Sequence, residues 1–424
     1  MNHKLIPGFL RKLSIFLLPL FVFTNVVIAQ NPIVTENALP GTDQGTWDSN
    51  DGTDIQGFAT NFSVNKGDSV KFKININSPV LLPYTIDIYR LGYYNNNGAR
   101  FIDNLGPSLT GMEQPAYLYE NSTGKVDCSN WSESARWKVP DDAVSGVYIA
   151  RLECATLNSS SLIIFVVRDD TSSSKLLFKT SDATWQAYNY WGGNTFYAAN
   201  TPVPGFTHAT KLSYQRPLTL RGDKSNFFSD EFPMIRWLER NGYDVTYTSD
   251  IDMARDASVI TPSKHKVLLS VGHDEYWSAE QFNKFETARN NGVNIAFFSG
   301  NTLHWKTRWE DNFQTLVCYK EGTQGIYSCG SKCDPVTNVW TGLWRDGCLP
   351  AYGTHDGCRP EGPFLAQMGW TESTGSIKVP DTYKNLRFWK NTSIAALGAG
   401  QTATLPLGTL GAEWDQEQFV ELLP

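Results

Sequence analysis

Lys266-Val267-Leu268-Leu269-Ser270-Val271-Gly272-His273-Asp274-Glu275-Tyr276-Trp277-Ser278 is the stretch on which the reading of this chain turns. Its apolar, β-branched opening is too short for a core helix and reads as a strand buried on both faces. The residues behind it change character at once. Ala279 to Asn291 has helical spacing and stops at Gly292. Val293 to Phe298 is a second buried strand. Upstream, Asp230 to Asn241 reads as a helix with Phe232, Ile235, Trp237 and Leu238 on its apolar side, ended by Gly242. Asp244 to Thr248 and Leu176 to Phe178 are further short strands. Strands alternating with helices imply βαβ units. The spacing therefore predicts an α/β doubly wound domain with a mainly parallel sheet over residues 171–424, loop-rich after 312.

The preceding part follows another period. Ser69 to Ile76 and Tyr84 to Tyr89 alternate polar and apolar residues, as half-buried strands do. Ala135 to Val139, Val147 to Leu152 and Ser161 to Val167 continue the set, separated by turn signals. Residues 56–170 are thus expected to form an antiparallel β-sandwich of immunoglobulin or fibronectin type. Residues 30–55, rich in Gly, Asp, Asn and Thr, read as an extended leader.

Composition narrows the function classes. The 424 residues carry a net charge of -7, with 13% aromatic and 19% charged residues. Such a chain is neither disordered nor a coiled coil. An acidic balance gives no footprint for nucleic acid. Lys4, Arg11 and Lys12 precede an apolar run from Ser14 to Ile28 and then Ala29, the layout of a signal peptide over residues 1–29. The run falls short of a membrane span, and no later segment is long and apolar enough for one, so the expected location is secreted or cell-surface. Seven cysteines follow the leader: Cys128, Cys154, Cys318, Cys329, Cys333, Cys348 and Cys358. In an oxidising compartment they read as disulfide partners, with a Cys128–Cys154 bridge plausible and an odd thiol left over.

In open α/β sheets, ligands bind beyond the carboxyl ends of the strands. Four polar and aromatic clusters stand there. Trp185, Tyr188, Asn189, Tyr190 and Trp191 follow the first strand. Asp250 and Asp252 follow the Thr248 strand. His273, Asp274, Glu275, Tyr276 and Trp277 follow the third, and Ser299, Asn301, His304, Trp305, Arg308 and Glu310 the fourth. Imidazole, carboxylate and phenol suit general acid/base or metal-ligand work. The bland readings are a helix N-terminus for His273 to Ser278, helix caps for the two aspartates, and packing for the aromatic residues.

Thr184-Trp185-Gln186-Ala187-Tyr188-Asn189-Tyr190-Trp191-Gly192-Gly193, Gly272-His273-Asp274-Glu275-Tyr276-Trp277-Ser278, Phe298-Ser299-Gly300-Asn301-Thr302 and Gly342-Leu343-Trp344-Arg345 carry a resemblance. Together they resemble the C-terminal domain of the N,N-dimethylformamidase beta (large) subunit and its secreted relatives, over roughly residues 174–420. The resemblance implies a class I glutamine amidotransferase-like α/β fold behind an immunoglobulin-like domain. It also implies a mononuclear iron held by two tyrosines and one glutamate. Tyr276 matches one tyrosine. The stretch aligned with the other, Glu231 to Arg236, holds no Tyr, and Asn338, Val339 and Trp340 stand where the glutamate falls.

Two functions follow as expectations. One is an exported hydrolase of carbon–nitrogen bonds in small amides. It would use His273, Asp274, Glu275, Tyr276, Asn301, Arg308, Glu310 and Glu413, within walls formed by Trp185, Tyr188, Asn189, Tyr190, Trp191, Asp250, Trp277 and Trp305. The other is an inactive surface protein that holds a glycan or peptide on the same aromatic residues.

Overall fold

Strict alternation makes Ser69–Ile76 the plainest strand of the chain: Val70, Phe72, Ile74 and Ile76 are buried and the residues between them partly exposed. The computed structural model describes Met1 and residues 31–424, apart from 107–108, 202, 222–226, 257, 322–333, 349–358, 366–367, 373, 410–412 and 417–424. Within it, Ser69–Ile76 pairs antiparallel with Ile55–Ala59 on one side and Ala135–Lys138 on the other. A second sheet runs Ser63–Asn65, Ser159–Arg168, Gly146–Cys154, Leu82–Leu91, Ala99–Asn104. It is antiparallel except where Ser63–Asn65 joins it in parallel. Phe72 and Trp137 of the first sheet meet Tyr148 and Phe165 of the second in one apolar cluster. The opposite face of the second sheet is buried too. Its Leu91, Val147, Ile149, Ile164 and Val166 share a larger core with Phe178, Tyr247, Leu269 and Val271 of the following part. Burial on both faces explains why Ser159–Arg168 reads as an apolar run rather than an alternation.

Residues 30–55 differ from the extended leader expected of them. They carry short helices, Pro32–Asn37 and Gln44–Trp47, capped by the side chains of Asn31 and Asp43. Ile33 and Trp47 enter the large core. Helices this brief hold too little periodicity to register in sequence.

Four strands then lie side by side, all parallel, in the order Val245–Thr248, Leu176–Lys179, Val267–His273, Asn294–Gly300. In chain order these are the second, first, third and fourth, so the winding reverses between Leu176–Lys179 and Val267–His273. Helix Phe232–Arg240 precedes Val245–Thr248, and helix Ala279–Asn290 connects the last two strands. Ser278 and Gln281 form a capping box at the start of the latter. At its end Gly292 takes φ 89°, which lets the Val293 N–H reach back to the Ala288 carbonyl. A smaller sheet follows in the order Lys211–Ser213, Thr315–Val317, Trp305–Glu310, Tyr276–Ser278, with Gly342–Leu343 also pairing Trp305–Glu310. Among the described residues no helix is long and apolar enough to cross a membrane.

The expected Cys128–Cys154 bridge does not form. Both are free, buried thiols, as is Cys318. Cys128 packs with Phe58 and Trp131, whereas Cys154 belongs to the core between the antiparallel sheets. A bridge needs Cα atoms within about 7 Å, and cysteine is equally at home as a small buried hydrophobe. Cys329, Cys333, Cys358 and the side chain of Cys348 lie outside the described residues.

A buried ion pair joins the antiparallel and parallel parts. Arg90, on Leu82–Leu91, meets Glu239, on Phe232–Arg240, through Nη2–Oε1 at 2.7 Å and Nη1–Oε2 at 2.9 Å. Both side chains are 0% exposed. Tyr247 and Asn37 donate to the same carboxylate at 2.8 Å each. Removing one partner leaves an uncompensated charge in apolar surroundings. Glu239→Ala is expected to lower unfolding free energy by about 3–5 kcal/mol, read by denaturant titration. A loss under about 1 kcal/mol would show that the pair does not hold the two parts together.

Candidate active site

The third strand of the parallel sheet does not end cleanly. At Gly272 the backbone takes φ 83°, and a Cβ there would stand 2.8 Å from Cγ of Glu231. Only glycine fits, and the chain turns out of the sheet through His273. Three residues later it enters the smaller sheet, where Tyr276 pairs with Trp305. The turn lies beside the point where the strand order reverses, the usual ligand crevice of an open α/β sheet. A hollow of about 630 Å³ opens on the other side of this turn, between the ends of the third and fourth strands, lined by Asp230, His273, Phe298, Ser299 and Asn301 among others.

Behind His273 sits a buried carboxylate. Glu275 Oε1 accepts from Tyr197 at 2.9 Å and from Trp305 Nε1 at 3.0 Å. Its Oε2 accepts from the Tyr188 hydroxyl at 2.9 Å and lies 3.3 Å from His273 Nε2. Burial alone would raise the pKa of Glu275, but the His273 hydrogen bond and neighbouring positive charge hold it down at about 2. The same burial, with Glu275 alongside, pushes the Tyr197 and Tyr276 phenols well above their ordinary range. Tyr188 and Tyr197 stack with ring centroids 4.3 Å apart. Lys320 is fully buried, its Nζ 3.4 Å from the Tyr197 ring centre, 4.5 Å from Trp305 and 5.4 Å from Tyr276. Desolvation lowers its ammonium to about 7. Burial also lowers His304 to about 3.

A second charged knot closes the strand ends beneath the hollow. Lys179 Nζ reaches Asp250 Oδ1 at 2.5 Å and Asp274 Oδ1 at 2.7 Å, with all three side chains 0% exposed. Asp250 also accepts from the Ala183 N–H at 2.8 Å and from Gln281 Nε2 at 2.6 Å. Burial raises Asp182, beside it, to about 6.

The family model described as N,N-dimethylformamidase beta subunit-like, C-terminal, matches residues 85–424. The chain belongs to this family. No curated protein matches it. The match opens within Leu82–Leu91, well before the start near residue 174 that the motifs suggest, so this formamidase-like unit includes most of the antiparallel sheet that carries Arg90.

Of the residues singled out in sequence, His273, Tyr188 and Trp305 all meet Glu275, and Asn301 joins them with Nδ2 3.5 Å from His273 Nε2. Tyr276 stacks on Phe196 behind the same group. The others stand elsewhere. Asp274 and Asp250 belong to the Lys179 knot, and Trp277 is buried with Nε1 donating to the Asp274 carbonyl. Asp252 caps its own helix and pairs with Arg168. Arg308 is held by Asp334 and Glu310, and Glu310 also by Lys211. Trp185 is buried and donates to Glu231 at 2.8 Å. Asn189 braces the chain at Pro217 and Thr219. Trp191 packs on Trp131 and bonds Gln56. Tyr190 alone among these rings is largely exposed. The walls expected of the aromatic residues therefore form only in part, and they make no exposed platform for a sugar ring. The side chain of Glu413 lies outside the described residues. Sequence reasoning missed Tyr197, Lys320 and Lys179. Only Lys179 left a signal: a charge closing an apolar strand at the edge where ligands bind.

The iron that the resemblance implies needs two phenolates and a carboxylate with free lone pairs. Tyr188, Tyr197 and Glu275 supply the right kinds of atom in the wrong state. The Tyr188 and Tyr197 hydroxyls donate to Glu275, so their protons are in use. Both Glu275 oxygens are occupied by donors, and the Lys320 ammonium faces the same rings. This set does not fit the metal.

The sign of Lys320's contribution to stability follows from its lowered pKa. The unfolded chain keeps the ordinary value of 10.5, whereas the folded chain loses the proton near 7. Between those values the unfolded state binds one more proton, so stability rises with pH. Denaturant titrations from pH 7 to 10 are expected to show a rise of up to about 1 kcal/mol per pH unit that Lys320→Met flattens. An identical slope in the variant would remove Lys320 as its source.

Proposed function

We propose that this protein hydrolyses the carbon–nitrogen bond of small linear amides in the hollow at the carboxyl edge of the parallel sheet. Family membership supports the reaction class. One observation carries the assignment to this place: His273 lines the hollow while its Nε2 lies 3.3 Å from the buried Glu275 carboxylate. An imidazole positioned by a fixed charge can give a proton to a leaving amine and take one from an attacking water. Glu275, held ionised, orients the ring and stabilises it when charged. The Asn301 amide, beside His273, is placed to donate to a carbonyl oxygen as negative charge develops on it. Phe298, 58% exposed, gives the hollow an apolar surface suited to an alkyl substituent. The parallel strand order and the paired antiparallel sheets support the finer reading of the fold, an immunoglobulin-like sandwich ahead of a glutamine amidotransferase-like domain. The basic and apolar leader supports action outside the cytoplasm.

Hydrolysis of formamide, N-methylformamide and acetamide by the purified chain tests the reading. His273→Ala is expected to lower kcat/KM by about 10²–10⁴-fold. Glu275→Gln keeps the shape but loses the charge, and is expected to lower kcat more than it raises KM. Rates that are equal in wild type and His273→Ala would refute the proposal.

A further inference from the structure

Ser299 lines the same hollow, register-paired with Gly272 on the neighbouring strand and hence one position from His273. It is part of a run of hydroxyls. Ser270 Oγ lies 2.5 Å from Asp274 Oδ2, Ser299 Oγ 3.1 Å from Ser270 Oγ, and Thr302 Oγ1 2.6 Å from Ser299 Oγ. The direction of the run follows from proton counting. Asp274 is ion-paired with Lys179, so it is a carboxylate and can only accept. Ser270 must therefore give its one proton to Asp274. It has none left for Ser299, so Ser299 donates to Ser270. Thr302 then donates to Ser299. Every hydroxyl points toward the buried charge, and such a chain polarises each member in turn. Ser299 keeps a lone pair for the hollow while its proton is drawn inward. The segment that holds it is strained: Asn301 and Leu303 take φ 48° and 60°, and a leucine adopts that conformation only where its surroundings impose it.

From this we infer that Ser299 is the nucleophile of the hollow, activated through Ser270 by Asp274 rather than by a histidine. The inference rests on the amidase reading for its substrate class and adds a covalent acyl-enzyme to it. Ser299 Oγ bonds to the amide carbonyl carbon, and the π pair moves to the carbonyl oxygen. The Ser299 proton passes to Ser270 as the Ser270 proton passes to Asp274. Collapse re-forms the carbonyl and breaks the carbon–nitrogen bond, and protonated His273 gives its proton to the departing amine. Water then attacks the ester and loses a proton to His273. The Ser299 oxygen leaves and regains its proton from Asp274 through Ser270. The enzyme returns to its starting protonation, with one amide and one water converted to acid and amine. Ser270 acts through Ser299 and is a positioning residue.

The test uses a small alkyl fluorophosphonate, which bonds an activated serine oxygen and releases fluoride, followed by peptide mass spectrometry of the full chain. The expected result is an adduct on Ser299, absent in Ser299→Ala. Ser270→Ala is expected to slow labelling at least about tenfold at a temperature well below its unfolding midpoint, where the chain is fully folded. Ser270→Thr, which keeps the hydroxyl, should label at a rate near wild type. Should Ser299→Ala fail to fold, Ser299→Cys replaces it, with iodoacetamide alkylation that Ser270→Ala slows. An unlabelled Ser299 in wild type, or equal labelling in Ser270→Ala, overturns the inference. Amide hydrolysis that depends on His273 but survives in Ser299→Ala leaves the proposed function standing without this nucleophile. A Ser299 adduct on a chain inert toward amides keeps the nucleophile and sinks the amide reading. Absence of both overturns both.

Discussion

A lysine with no water around it governs this molecule. Burying the Lys179 ammonium is tolerable only because Asp250 and Asp274 reach it from either side. Those three residues come from the carboxyl ends of three neighbouring strands, so the knot fixes how far each strand extends before it turns. Gln281 ties the following helix to the same point. The position of His273 depends on this, because it immediately precedes Asp274. So does the Ser299 environment, since Ser270 bonds the same aspartate. A charge that cannot leave its partners thus sets the geometry of a hollow it does not enter.

Most of the framework was legible in residue order. Ser69–Ile76 has the bounds its alternation gives, and Val267–His273 and Ala279–Asn290 fall within two residues of their patterns. The place where His273 and Glu275 stand, at the carboxyl edge of the sheet, was legible too, because both follow an apolar run. What sequence does not carry is which polar residues become framework. Asp274 and Glu275 are adjacent and alike, yet one is locked to a lysine from another strand and the other sits among phenols. That difference lies in the partners that other segments bring to the two sides of the chain after the turn at Gly272. Tyr197 and Lys320 reach Glu275 from loops with no period, so nothing in their own neighbourhood announces them. The cysteines misled because spacing cannot tell a bridge from two hydrophobic thiols.

The pocket region divides into an open polar face and a sealed aromatic interior. His273 belongs to both, with one edge on the hollow and one nitrogen against Glu275. The sealed side contains phenols that keep their protons and an ammonium that is easily lost. Hydrogen bonding among them is close to saturated around Glu275, which makes that interior a support for the imidazole rather than a second reactive centre.

The pair Arg90–Glu239 bears on how such a chain is inherited. Half of the contact comes from a strand of the antiparallel sheet and half from a helix of the parallel domain, and each half alone is a stranded charge. A recombination event that exchanged the sandwich for an unrelated module would leave Glu239 facing oil. The family match likewise starts at residue 85, inside the strand that carries Arg90, so the matched unit spans both halves of this contact.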